Sequence, residues 1–116
     1  MEYCFDSIFV KNGKIFATGW AVSSVTENEI EITVTDEKKT PVDVIVTWAA
    51  RPDVGLAKYG DPKAGHVGIF LEIPFHGQHL VTVYFKEKNA QGNVISEQSL
   101  PLNPALIAAR KFLKES

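Results

Sequence analysis

The alternation of apolar and polar residues in segment 29–36, EIEITVTD, is the feature that most limits what this chain can fold into. Ile30, Ile32 and Val34 fall on one side, and glutamates and threonines fall on the other. A period of two places successive side chains on opposite faces of a β-strand. The segment is therefore predicted to be an antiparallel strand with one buried and one solvated face.

Short segments of similar character recur along most of the chain and are separated by turn residues. Asn12-Gly13 follows the first of them, and Asn-Gly strongly favours a tight hairpin. Strands at this spacing predict an all-β fold, an immunoglobulin-like two-sheet sandwich of about seven strands. The predicted strands are residues 3–10, 14–22, 29–36, 42–48, 67–75, 79–87 and 93–100.

The length and charge of the chain argue against several classes of protein. Its 116 residues suit one domain, which is large enough to bury a core without covalent staples. The net charge of −2 offers no basic surface for nucleic acid, and no apolar run is long enough to cross a bilayer. Cys4 is the only cysteine, and the N-terminus lacks the pattern of a signal peptide. We therefore expect a cytoplasmic protein that neither binds nucleic acid nor inserts into a membrane.

The last segment has a helical pattern and forms the second part of the predicted domain organisation, with the sandwich over 1–102 and a helix over 103–116. Asn103 can cap this helix, and Pro104 suits its first position. A stripe of Leu106, Ala109 and Leu113 would need a surface to pack on, because so short a helix is marginal alone. It either docks on the sandwich or leads toward a further, catalytic domain that is missing here.

Residues 48–70 interrupt the β pattern. Asp53 can cap a short helix there, with Gly60 as its left-handed stop, and Val54 together with Leu56 or Tyr59 would close the open end of the sandwich. Arg51 is expected to pair with Asp53 or with loop carbonyls. The interruption is thus predicted to have mainly a structural role, although Arg51 and Asp53 remain candidates for ligand binding or domain docking.

Three histidines and one cysteine are the candidates for catalysis or metal binding. His76 and His79 lie in a predicted hairpin loop, and His66 has no obvious partner in sequence. Zinc requires three or four converging ligands, and no cysteine or carboxylate cluster lies near these histidines in sequence. Cys4 lies in an apolar strand and is expected to be at least half-buried. We predict no catalytic residue, no metal and no cofactor.

Trp20 and Trp48 are both expected in the core. Trp48 continues the alternating valines of the strand that precedes the interruption. Trp20 belongs to a side of its strand that looks apolar, formed by Phe16, Thr18, Trp20 and Val22. An exposed Trp20 would instead be a candidate for stacking on a sugar.

Phe70 and Tyr84 fall on the sides of their strands opposite the main apolar series. Such aromatic side chains could face a ligand or a partner domain. A central strand of a sandwich can also bury both faces. This pattern alone therefore does not decide whether Phe70 and Tyr84 face a ligand or partner or are buried.

Four segments resemble the accessory β-sandwich domain found beside the catalytic domain of many bacterial family-2-type glycosyltransferases, which build surface polysaccharides such as rhamnose-rich glycans. The segments are NGKIFATGWAV, EIEITVTD, RPDV and GHVGIFLEIPF. The shared pattern is Gly-Trp-Ala on an early strand, Arg-x-Asp-Val in the middle, and a Gly-Phe step into a later strand. Here these positions are held by Gly19-Trp20-Ala21, Arg51-Pro52-Asp53-Val54 and Gly68-Ile69-Phe70, and an isoleucine separates the last Gly and Phe.

The resemblance implies a non-catalytic module whose partner is its own glycosyltransferase catalytic domain, and which docks on that domain or holds the acceptor glycan. An independent carbohydrate-binding module is one alternative. A protein–protein interaction or self-association domain is the other.

Overall fold

The computed structural model describes residues 1–77 and 79–115, with side chains as far as residue 109. Two α-helices, α1 (Pro52–Tyr59) and α2 (Pro104–Glu115), accompany a 3₁₀ turn at Pro62–Ala64. The described strands are β1 (Glu2–Lys11), β2 (Lys14–Val22), β3 (Glu29–Asp36), β4 (Pro41–Val42), β5 (Ile45–Ala49), β6 (Gly68–Pro74), β7 (Val81–Lys88) and β8 (Val94–Leu102).

The strands form two antiparallel sheets. Sheet A has the order β1-β2-β6-β5, and sheet B has the order β4-β3-β7-β8. In an immunoglobulin constant-type domain the first, second, fifth and fourth main strands form one sheet and the third, sixth and seventh form the other. This chain has that order, with β4 added at the edge of sheet B. The predicted all-β, immunoglobulin-like sandwich is confirmed.

The predicted strand 42–48 is divided between the two sheets. β4 pairs with β3 in sheet B, whereas β5 pairs with β6 in sheet A, so the chain crosses between sheets at residues 43–44. The alternation continues through the crossing because Val42, Val44, Val46 and Trp48 all pack against the core. Alternation with a period of two indicates which side of a strand is buried, but it carries no information about which neighbouring strand the segment pairs with.

The inward side of β2 is the opposite of the predicted one. Ile15, Ala17 and Ala21 are buried, whereas Phe16 and Trp20 lie half-exposed on the outer side of sheet A. The reason is the space between the sheets, where the rings of Tyr3 and Phe85 stack with centroids 4.1 Å apart. Small residues on β2 leave room for these rings. The assignment of Trp20 to the core was wrong, whereas Trp48 packs against the core as predicted but stays half-buried.

Cys4 is exposed, which corrects the expectation of a buried or half-buried thiol. It pairs across the ladder with Trp20, on the outer side of sheet A. Beside it, Gly19 permits the close approach of β1 and β2, since a Cβ there would lie 1.9 Å from the carbonyl oxygen of Cys4.

Helix α2 begins as predicted and then presents a different side to the sandwich. The Oδ1 atom of Asn103 accepts hydrogen bonds from the backbone N–H groups of Ala105 and Leu106, at 3.0 and 3.2 Å. Ile107 packs against the core and α2 lies against β1, whereas Leu106 is 68% exposed. The side of α2 that carries Leu106 is therefore not the side that packs on the sandwich, and the side chain of Leu113 lies outside the described residues.

Candidate functional site

Segment 48–70 closes one end of the sandwich. The chain leaves β5, forms α1 and the 3₁₀ turn, and returns as β6. Gly60 ends α1 with φ of 69°, as predicted. Val54 is buried and Tyr59 is half-buried, but Leu56 is exposed. Asp53 does not cap α1, because the N-cap position belongs to Arg51 and no side chain caps the helix there.

Arg51 binds two carboxylates and ties α1 to β1. Its Nε and one terminal nitrogen donate to the two oxygens of Asp53, both at 3.1 Å, and the other terminal nitrogen donates to Asp6 at 3.0 Å. The hydrogen bonds from Arg51 lower the pKa of Asp53, and those to Asp53 and Asp6 raise the pKa of Arg51. The predicted pairing of Arg51 with Asp53 is confirmed, and the additional partner Asp6 could not be read from the sequence.

Glycines allow the backbone of this end segment to pack tightly. A Cβ on Gly65 would lie 2.8 Å from Cα of Pro52, and one on Gly55 would lie 2.7 Å from Cα of Gly65. Gly68 approaches Arg51 in the same way, since its Cβ would lie 2.8 Å from Cγ of that side chain. The start of α1 is thus fixed against the strand that returns to sheet A.

The three motifs of the resemblance are neighbours in space. Trp20 pairs with Gly68 across the β2–β6 ladder, and Gly68 pairs with Ala49 across the β5–β6 ladder. Ala49 lies two residues before Arg51, whose side chain packs over Gly68. The segments around residues 20, 51 and 68 therefore form one structural unit at one end of sheet A.

A cleft of about 520 Å³ opens at this same end, between the β2–β3 connection and the segment that follows α1. We call it the end cleft. Its walls combine two aromatic side chains with polar and charged ones. It is lined by Ala21, Ser23, Thr26, Asn28, Glu29, Ile30, Trp48, Tyr59, Lys63, Ala64, His66 and Val67.

Both walls of the end cleft are held by hydrogen bonds. On one side, the Tyr59 hydroxyl donates to the carbonyl oxygen of Ser23 at 2.8 Å. On the other, the Glu87 carboxylate accepts from the Ser24 N–H at 3.0 Å, and from the Ser24 hydroxyl and the Asn28 amide at 2.6 Å each. The N-terminal ammonium of Met1 lies 3.5 Å from the same carboxylate. The β2–β3 connection is therefore fixed in place by one buried carboxylate.

Glu87 is fully buried, and its ionisation depends on these partners. Burial by itself raises the pKa of its carboxyl, but the hydrogen bonds from Asn28 and Ser24 outweigh burial, so that the pKa lies below its ordinary value. A buried carboxylate that is held charged in this way is a fixed anchor, and it does not face the cleft as one of its lining residues.

The outer side of sheet A carries a group of aromatic side chains, which we call the aromatic face: Phe9, Phe16, Trp20 and Phe70. The ring centroids of Phe9 and Phe16 are 5.3 Å apart, and those of Phe16 and Phe70 are 6.0 Å apart. Phe70 is 38% exposed, and the neighbouring Ile45 is 57% exposed. The Lys58 ammonium lies 5.3 Å from the centre of the Trp20 ring.

Tyr84 does not belong to this group. It lies half-buried on the outer side of sheet B, where it pairs with Thr33 and Ser99. Its position opposite the core series of β7 is as predicted. Of the predicted site residues, the structure thus places Trp20 and Phe70 on the outer side of sheet A and Arg51 and Asp53 at the start of α1, and it leaves Tyr84 on sheet B.

The three histidines are separated. His66 lines the end cleft, whereas His76 and His79 are exposed in the β6–β7 connection at the start of β7. Among the described residues, no group of three or more His, Cys, Asp or Glu side chains could hold a metal ion. In the same part of the chain, no helix is both long and apolar enough to cross a membrane.

Sequence reasoning missed the end cleft and its support. The sequence patterns place several of the lining residues in strands, turns or motifs, such as Ile30, Trp48 and His66, but they assign none of them to a cleft. Glu87 did carry a signal, since it continues the inward series Val81, Val83, Phe85 and so places a carboxylate on the core side of β7. Such a residue requires buried partners, but the sequence does not say which ones.

No family model and no curated protein matches the chain. A structure search found similarity to a solved structure of the partially deglycosylated ZP1 ZP-N1 domain homodimer, from work on egg coat filament cross-linking. The two chains share 13% sequence identity, the match covers 88% of each chain, and the TM-score is 0.49. No conclusion about function follows from a similarity at this level.

Proposed function

We propose that this chain is a non-catalytic accessory domain that works beside the catalytic domain of a bacterial glycosyltransferase of surface polysaccharide synthesis. Its task on this proposal is to hold the acceptor polysaccharide, and its location is the cytoplasm. The resemblance stated above motivates the proposal, and the spatial contact between the three resembling motifs supports it. The aromatic face is the observation that carries it.

An exposed group of aromatic rings on a sheet face suits a saccharide chain. Sugars have apolar C–H surfaces that can stack on such rings, and tightly clustered aromatic surface is otherwise costly to leave in water. Hydroxyl groups lie among the rings of the aromatic face, because Thr18 and Thr47 pair with Phe70 from either side. The surface therefore offers both stacking and hydrogen bonding along one plane.

Cys4 provides a direct test, because it is exposed and pairs with Trp20 at the edge of the aromatic face. We expect a rhamnose-rich bacterial polysaccharide to slow alkylation of Cys4 in the folded protein. The control combines Cys4→Ser with Ser99→Cys, which moves the thiol to the outer side of sheet B. Its alkylation should not respond to the polysaccharide.

Phe70→Ala should abolish the protection of Cys4, whereas Tyr84→Ala should leave it unchanged. Equal alkylation with and without polysaccharide would refute the glycan-holding role. Protection that rises with protein concentration, in the absence of polysaccharide, would instead indicate self-association through the aromatic face. Analytical ultracentrifugation separates these two causes.

A further inference from the structure

The end cleft has the size and lining of a small-molecule site. Its volume of about 520 Å³ lies within the range of roughly 300–1,000 Å³ that is usual for ligand pockets. Trp48 and Tyr59 give it aromatic surface, and half of its twelve lining residues carry other polar or charged side chains. Pockets of this type bind an apolar body by contact and orient it through hydrogen bonds.

The side chains and backbone that line the end cleft are held in place by contacts within the protein. Tyr59 is fixed by its bond to Ser23, and Asn28 is fixed by its bond to Glu87. The Gly55–Gly65 contact holds the segment that carries Lys63 and His66. Such prior ordering lowers the entropic cost of binding.

Several polar groups that line the end cleft have no partner within the described part of the chain. Lys63 and Glu29 take part in no ion pair there, and neither His66 nor the indole N–H of Trp48 takes part in a hydrogen bond. The amide of Asn28 donates to Glu87, which leaves its oxygen as an acceptor. Donors and acceptors are thus available side by side around the aromatic walls.

The charges of the cleft favour a neutral ligand. Lys63 and Glu29 have opposite charges, so that these two side chains together add no net charge to the lining. Glu29 would repel an anion, and Lys63 would repel a cation. A molecule with many hydroxyl groups satisfies both, because each hydroxyl donates and accepts.

We propose that the end cleft binds one or two neutral sugar units, with the apolar side of a pyranose ring against Trp48 and Tyr59 and its hydroxyls toward Asn28, Glu29, Lys63 and His66. This site is distinct from the aromatic face, since Trp48 points to the core side of sheet A and Trp20 to the outer side. It goes beyond the proposed function and does not depend on polysaccharide binding at the aromatic face.

The test uses the whole chain with Trp20→Phe, so that Trp48 is the only tryptophan. Methyl α-glycosides of glucose, galactose, mannose and rhamnose are titrated one by one. We expect at least one to change the Trp48 emission with a saturable, millimolar dissociation constant. Backbone amide NMR shifts should concentrate at residues 26–30 and 59–67.

His66→Ala is the informative variant, and His79→Ala is its matched control because both histidines are exposed in connections between elements. We expect His66→Ala to weaken binding by about tenfold, and His79→Ala to leave it unchanged. Lys63→Ala should weaken it as well. Absence of saturable binding for all four glycosides, or equal affinity in the two histidine variants, would overturn the proposal.

The two proposals fail independently of each other. Methyl glycosides that bind at Trp48 while the polysaccharide leaves Cys4 unprotected would support the cleft and refute the aromatic face. Protection of Cys4 without a change in the Trp48 emission would support the aromatic face and refute the cleft.

Discussion

At the scale of single residues, Glu87 decides how the β2–β3 connection is held. It is fully buried, and one carboxylate satisfies donors of both Ser24 and Asn28. Hydrogen bonds to a charged group are worth more than those between neutral groups, and a buried donor that loses its acceptor pays its full desolvation cost. The structure of one wall of the end cleft thus depends on a residue that does not line it.

Glu87→Gln should destabilise the protein at neutral pH. The variant keeps the shape of the side chain but turns one acceptor oxygen into a donor group that faces other donors. We expect a loss of about 1–3 kcal/mol in the free energy of unfolding, measured by urea denaturation. Glu29→Gln is the control and should have little effect, because Glu29 is exposed.

The original chain and the Glu87→Gln variant should also differ in how their stability responds to acid. The pKa of Glu87 is lowered from 4.5 in the folded protein, so its contribution is present above pH 4.5 and is lost as the pH falls through the folded pKa. The gap in stability between the original chain and Glu87→Gln should therefore narrow in acid. A gap that stays constant from pH 7 down to about pH 3 would contradict the lowered pKa.

At the scale of elements, the end of α1 and the segment that follows it form the other wall of the end cleft, and glycines set how closely this segment packs. Gly65 lies so close to Pro52 that a Cβ would have to displace backbone, which cannot yield as a flexible side chain can. Gly60 differs, since it has a positive φ and open space around it. The two glycines are therefore required for different reasons.

Gly65→Ala should destabilise the fold by about 1–3 kcal/mol, the usual cost of overpacking. Gly60→Asn should cost little, because asparagine tolerates the left-handed conformation. Urea denaturation gives both values. Stability of Gly65→Ala equal to that of the original chain would mean that α1 can move away from β6.

The elements differ in how far the sequence could predict them. Gly60 is a local signal, so the C-terminal end of α1 could be predicted, whereas the expected cap at Asp53 placed the start of the helix two residues too late because Arg51 holds the N-cap position. The sheet change at residues 43–44 has no local signal, because the valines on either side keep the same alternation. The side of β2 that faces the core was misjudged for a related reason. Phe16 and Trp20 are the larger apolar residues, but the space filled by Tyr3 and Phe85 selects the smaller ones.

The candidate sites could be predicted less well than the elements. The Arg51–Asp53 pair lies within three residues and was foreseeable, whereas Asp6 joins it only through the fold. The end cleft combines residues from the β2–β3 connection, β5, α1 and the following turn. No spacing along the chain brings these together, since they meet only when both sheets have formed.

At the scale of the whole molecule, the two outer sides of the sandwich differ in character. The core lies between the sheets. The outer side of sheet B is polar around Tyr84, and the outer side of sheet A has the aromatic face. The proposed glycan-holding role of this chain depends on Phe16, Trp20 and Phe70 facing outward. The opposite assignment, which the sequence favours for β2, would remove Phe16 and Trp20 from the aromatic face and leave Phe9 and Phe70 apart.

Neighbouring residues of β2 can test this directly. Ile15 is fully buried, so Ile15→Ala removes core contacts and should cost about 2–5 kcal/mol of unfolding free energy. Phe16→Ala should cost only about 0.5–1.5 kcal/mol, because it loses ring contacts with Phe9 and Phe70 and leaves no cavity in the core. Both values come from urea denaturation of otherwise identical chains. A larger loss for Phe16→Ala than for Ile15→Ala would mean that β2 turns its aromatic side inward, and the glycan-holding surface on sheet A would then not exist.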